Sequence, residues 1–219
     1  MKRILLLVGL LVLVGFGIAT RPGIVLCAFA SDNVQESPKY EQLIFDARER
    51  IKDTFGTPEA NPMVLFFDHE DAFWPLKLNP YGSTSYLGKR SCVFVGPEGQ
   101  NVDVTAHELM HAEIAYRIDF KRRGSEWPIW FDEGLAMQVD FRDAYTLPDS
   151  YPSDFVRTLK TGSDFFVVGN EQLTTRYAAA RKEVGQWVAS INKDSVYVYL
   201  ARVKSGESFK SLMRPAWRD

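Results

Sequence analysis

His107-Glu108-Leu109-Met110-His111 sets two imidazoles four residues apart, with a carboxylate directly after the first. A helix turns about 100° per residue, so the two histidines would share one face, one turn apart. Two imidazoles so placed can bind one Zn²⁺ at about 2.0–2.1 Å. Glu108 then stands where it can take a proton from a water that the ion activates. A third protein ligand with the fourth position left open separates a catalytic zinc site from a structural one. Glu133, within Trp130-Phe131-Asp132-Glu133-Gly134-Leu135-Ala136, is the leading candidate. Asp119, Glu126 and Asp132 are competing carboxylates, although Asp132 would point roughly 100° from Glu133 on a helix. The remaining imidazole, His69 in Asp68-His69-Glu70-Asp71, reads as a surface histidine in an acidic stretch. The pattern is that of a zinc-dependent hydrolase, with peptidase as the leading class.

The two cysteines, Cys27 and Cys92, form no CxxC pair, so thiolate ligation is excluded and the metal must be held by His and carboxylate. Cys92 lies in the strand-like run Ser91-Cys92-Val93-Phe94-Val95 and reads as a small buried hydrophobe. Each ligand imidazole should also be oriented through its other nitrogen. Asp103, Glu113 and Asp132 are the candidates for that role.

The elements that must position these residues follow from periodicity and turn chemistry. Tyr40, Leu43, Ile44, Ala47, Ile51 and Phe55 recur at helical spacing and stop at Gly56. Pro62 to Phe67 reads as a buried strand, and Asp71 to Leu76 as a helical turn. Ser83–Leu87 and Ser91–Val95 flank Gly88-Lys89-Arg90 in the pattern of a β-hairpin. Asn101 is placed to cap the histidine helix, which should run to about Ile118, with Lys121-Arg122-Arg123-Gly124 closing that region. Pro128 suits the first turn of a helix that carries Glu133 and ends near Val139. Gly134, beside the ligand, permits a close helix–helix approach. Asp143 to Pro152 reads as a loop and Ser153 to Leu159 as a short helix, while Phe165 to Val168 suits a strand or a packed loop equally. Thr175–Ile191, Val196–Val203 and Phe209–Met213 read as helices. The expected architecture is α+β: an N-terminal helix, a mixed sheet with a hairpin, the histidine helix, and an α-helical C-terminal half.

At 219 residues, 46% hydrophobic and 25% charged, the chain suits one folded domain over residues 31–219. Residues 1–30 read as a signal peptide or N-terminal membrane anchor. Lys2 and Arg3 precede an apolar run of 16 residues, Ile4 to Ala19, between a usual signal core of roughly 7–15 residues and the ~20 that span a bilayer. Small-x-small sites end at Ala19 and at Ala30, and cleavage after Ala30 would leave Cys92 without a partner. The expected location is periplasmic or extracellular, with a possible membrane tether through residues 4–19. Residues 1–30 carry three cations and no acid, so the body changes from a net charge of −2 to −5 without them. A mildly acidic body gives no support for nucleic-acid binding.

Val104-Thr105-Ala106-His107-Glu108-Leu109-Met110-His111-Ala112, followed by Pro128-Ile129-Trp130-Phe131-Asp132-Glu133-Gly134-Leu135-Ala136, resembles the gluzincin branch of the HExxH metallopeptidases. More narrowly it is similar to the peptidase MA-like family, whose second motif reads Pro-x-Trp-φ-x-Glu-Gly-φ-Ala, with φ apolar. The likeness extends more weakly over Asn61 to Val95 and Tyr177 to Met213. It implies a small zincin-like domain holding one Zn²⁺ through His107, His111 and Glu133, with Glu108 as general base. Amide hydrolysis also needs a donor for the oxyanion. Related enzymes place a tyrosine after the metal helices, where this chain has Tyr177; Tyr116 should face away from His111. They also pair an extended substrate with an edge strand, for which the Tyr81 to Val95 hairpin is the candidate here. The implied function is an exported zinc peptidase acting on a peptide or protein. The alternatives are an inactive zinc-binding homologue serving as an envelope assembly or chaperone-like factor, and a zinc hydrolase of a non-peptide amide.

Overall fold

A computed structural model describes residues 23, 27, 37–68, 79–87, 89–119 and 126–213. The apolar run Ile4–Ala19, His69, the Asp71–Leu76 turn and the Lys121–Gly124 stretch lie outside the described residues. Within them the fold is α+β, with seven α-helices, a three-stranded mixed sheet and a helical C-terminal half.

Helix α1, Pro38–Phe55, buries Tyr40, Leu43, Ala47, Ile51 and Phe55, the stripe expected from its spacing, and stops at Gly56 with φ 98°. Strand β1, Met63–Phe66, runs parallel to β3, Arg90–Val95, while β2, Gly82–Leu87, pairs antiparallel with β3 as the hairpin pattern predicts. The order β1-β3-β2 leaves β2 at an edge. Side chains alternate across the sheet. Val93 and Val95 therefore enter the main core, and Cys92 and Phe94 the opposite face.

Helix α2, Val102–Ile118, is capped by Asn101, whose side chain accepts from Val104 N at 2.9 Å. It is buried almost without interruption from Val104 to Ala115, packed on α1, the sheet and the rear helices. Helix α3, Ile129–Ala136, starts one residue after Pro128 and stops three before the expected Val139. Trp130, Phe131 and Leu135 are core, as their apolar character suggests. An aromatic cluster anchors the helix, with Phe131 ring centroids 5.0 Å from each of Trp127, Trp187 and Phe209.

The rear half packs behind α3. Within Ser153 to Leu159, the expected short helix is a 3₁₀ helix over Asp154–Thr158. Its ends are pinned to the buried Glu183, which accepts from Ser153 Oγ at 2.6 Å and Arg157 Nε at 2.7 Å. Of Phe165 to Val168, expected as a strand or packed loop, Phe165 and Phe166 instead end a short helix α4, Gly162–Phe166, opened by a reciprocal Thr161–Asp164 capping box, and Val167 and Val168 follow it. Helix α5, Asn170–Ile191, begins five residues before the expected Thr175, and α6, Val196–Lys204, and α7, Phe209–Met213, complete the chain's described part. At Gly134 a Cβ would stand 2.5 Å from both Ala180 O and Val184 Cγ2, so the glycine permits α3 to lie directly on α5.

The expectation of an unpartnered Cys92 is corrected: Cys92 forms a disulfide with Cys27, at a Cα–Cα distance of 5.7 Å. That expectation assumed loss of Cys27, whereas Cys27 and Gly23 are buried, with Gly23 against Ser85 and Phe94 on the sheet face away from α2. The bridge joins positions 65 residues apart, and loop entropy alone assigns such a link about 4 kcal/mol. Reduction, or Cys27→Ser, is expected to lower Tm by on the order of 10 °C. Thiol titration of the unfolded, unreduced protein should find no reactive cysteine; two reactive thiols would remove the bridge.

Candidate metal centre

The geometry begins with α2. One turn apart, His107 and His111 direct their Nε2 atoms toward each other, 3.1 Å apart. Glu133, brought alongside by α3, sets Oε2 3.4 Å from His107 Nε2 and 3.3 Å from His111 Nε2. The three atoms make a nearly equilateral triangle. A tetrahedral ion with bonds of about 2.0–2.1 Å needs ligand atoms about 3.3–3.4 Å apart, which this triangle meets. His107, His111 and Glu133 thus form a buried group that can hold a metal ion, the only such group of His, Cys and carboxylates among the described residues. Asp119 and Glu126 are exposed and stand outside it.

Electrostatics bind the three donors to one another. Burial alone disfavours a charged His111, but the Glu133 and Asp132 carboxylates outweigh it and push its pKa up to about 10. Burial likewise opposes the Glu133 carboxylate, yet His111 and His107 hold its pKa down at about 2. The carboxylate is therefore kept ionised and matched to positive charge, a demand that a divalent cation also satisfies.

The other imidazole nitrogens have carboxylates nearby. Asp132 places Oδ2 2.8 Å from His111 Nδ1. Its Oδ1 accepts from Trp127 Nε1 at 3.0 Å, so the aromatic cluster that fixes α3 also fixes this carboxylate. The turn of about 100° that takes Asp132 away from the ligand position carries it to the back of His111. His107 Nδ1 has Asp140 Oδ2 at 3.6 Å, beyond direct hydrogen-bond length. Asp140 is fully buried and clamped by the Arg142 guanidinium and backbone N–H. Burial raises its pKa, but Arg142 and His107 bring it below the ordinary value. Asp140 and Arg142 escaped the sequence reading because α3 ends at Ala136, so no helical register relates them to Glu133.

The other two residues proposed for that role serve elsewhere. Asp103 pairs with Arg50 and accepts from Phe141 N at 2.9 Å. Glu113 accepts from the backbone of Glu59 and Ala60 and from Arg117, tying α2 to the loop after α1.

Glu108, the residue after His107, is buried, and its Oε2 accepts from Thr84 Oγ1 on β2 at 2.7 Å. Tyr177, on α5, lies with its ring centroid 6.2 Å from that of His107, wedged between Tyr145 and Phe165. Its hydroxyl pKa is pushed well above the ordinary range, first by burial and then by Glu133 and Glu108. Tyr116 is half-exposed on the far side of α2, as helix arithmetic requires.

Equilibrium competition against a chelator should show Glu133→Ala losing most divalent-cation affinity, with Glu126→Ala unchanged. Asp132→Asn is expected to weaken it about 10–100-fold, because the imidazole loses its orienting partner. Unaltered affinity in Glu133→Ala would sink the ligand assignment. In comparisons with known proteins, no family model, no curated protein and no solved structure matches this chain.

Proposed function

We propose that the chain is a zincin-like peptidase that hydrolyses peptide bonds, with one Zn²⁺ held by His107, His111 and Glu133. The observation that carries the reading is the 3.1–3.4 Å triangle of donors with Glu108 as the residue next to one of them. A triangle alone suits a structural ion as well, but hydrolysis also needs a base, and Glu108 is a buried carboxylate outside the donor set that directly follows His107. The donor set of two imidazoles and one carboxylate suits zinc, with an open fourth position. When bound, the ion supplies Lewis acidity and brings the pKa of a water near neutrality.

The chain's own residues carry the remaining work. Glu108 takes the proton of the attacking water and delivers it to the leaving amine. Tyr177, whose hydroxyl stays protonated at any physiological pH, donates to the oxygen that becomes negative. Asp132 keeps His111 turned toward the shared point, and Asp140 sets its negative charge behind His107. Edge strand β2, whose Thr84 touches Glu108, is the surface along which an extended peptide would pair.

Casein and a peptide library, offered to zinc-loaded protein, test the reading. Glu108→Gln should abolish hydrolysis while retaining the metal, and Tyr177→Phe should lower kcat by about 10²–10³ at nearly constant KM. Equal turnover by Glu108→Gln and the unaltered protein would remove the mechanism.

Export is part of the same proposal. The Cys27–Cys92 disulfide supports an oxidising compartment, periplasmic or extracellular. It also favours trimming after Ala19, or a leader retained as a tether, over cleavage after Ala30, which would discard Cys27. No helix among the described residues is long and apolar enough to cross a membrane. The intact mass of the protein recovered from outside the cytoplasm should include Cys27; a mature chain starting at Ser31 would overturn this processing.

A further inference from the structure

We infer that Thr84 is a positioning residue that, with Gly82, sets the direction of the Glu108 carboxylate, resting on the reading of Glu108 as the base. Both residues lie on β2, two positions apart and hence on one face, paired with Val93 and Val95 and turned toward α2. Thr84 Oγ1 sits 2.7 Å from Glu108 Oε2 and 2.9 Å from the Glu108 carbonyl oxygen. A hydroxyl has one proton to donate, and the shorter of its two contacts is to the carboxylate oxygen. Oε2 is thereby committed to the strand. Gly82 shapes the other side, because a Cβ there would stand 2.8 Å from Glu108 Cγ and 3.0 Å from Oε1. The carboxylate lies across bare backbone at Gly82, and Oε1 keeps its place only because no side chain stands there. Glutamate has three side-chain torsions, and this cradle removes their freedom before any substrate arrives. One strand thus both offers the edge for a peptide and holds the base, so the register of a bound peptide is tied to the proton acceptor.

The test compares Thr84→Val, which keeps the shape and removes the hydroxyl, with Thr84→Ser, which keeps the hydroxyl. With casein as the probe and matched zinc content, Thr84→Val should lose about 10–100-fold in kcat, with KM and Tm nearly unchanged. Thr84→Ser should stay within about threefold of the unaltered protein. Gly82→Ala should displace Glu108 and lose activity independently. Crystal structures of the metal-free variants supply a readout apart from activity. Glu108 should leave its place over β2 in Thr84→Val and keep it in Thr84→Ser. An unmoved Glu108 in Thr84→Val, or equal impairment of the Val and Ser variants, overturns the inference. If Glu108 moves as expected while the unaltered zinc-loaded protein cleaves nothing, the positioning role stands and the peptidase reading falls.

Discussion

A carboxylate taken out of water must be met by positive charge or by hydrogen-bond donors, and Glu133 is met by two imidazoles at 3.3 and 3.4 Å. Much of the fold is the apparatus of that meeting. Helix α2 must be buried on nearly every side for its histidines to lie out of water, so α1, the sheet and α6 all pack on it. Helix α3 must come close enough to bring one carboxylate oxygen between the two rings. Gly134 permits its contact with α5, and the Trp127, Phe131, Trp187 and Phe209 cluster holds it there.

The same constraint explains the second layer of charge. Buried imidazoles that carry positive charge or bind a cation are stabilised by negative charge at their far nitrogens, and Asp132 stands 2.8 Å from His111 Nδ1 and Asp140 3.6 Å from His107 Nδ1. Neither acid stands alone. Asp132 shares its other oxygen with an indole N–H in the aromatic core, and Asp140 is gripped by Arg142. Arg142 in turn lies over the Tyr145 ring at 4.7 Å, and Tyr145 packs against Tyr177. Packing and electrostatics are one network here: a change in the apolar core at Trp127 is a change in the orientation of His111.

Charge compensation also separates the site from the other buried acids. Glu113 and Glu183 are as deeply buried as Glu133, but each is saturated by donors from the chain, backbone N–H and Arg117 for one, Ser153 and Arg157 for the other. They join segments and leave no converging lone pairs. Glu133 differs in facing two nitrogens that can themselves be ligands.

The sequence by itself determined what local geometry determines. His111 follows His107 by four positions, so any helix through them produces the paired imidazoles, and Asn101 marks where that helix begins. Period-two and period-3.6 patterns sufficed for α1, the hairpin and the order of the rear helices. Glu133 stood out among the acids because its motif was recognisable, not because spacing demanded it. Tertiary structure alone decided the rest, since these contacts join parts of the chain whose separation carries no register. Thr84 reaches Glu108 from 24 residues away across a strand–helix interface, Asp140 reaches His107 from beyond the end of α3, and Cys27 finds Cys92 at a separation of 65. The two histidines define where an ion can sit; the packing of a sheet edge and a second helix onto them decides what that ion would have around it.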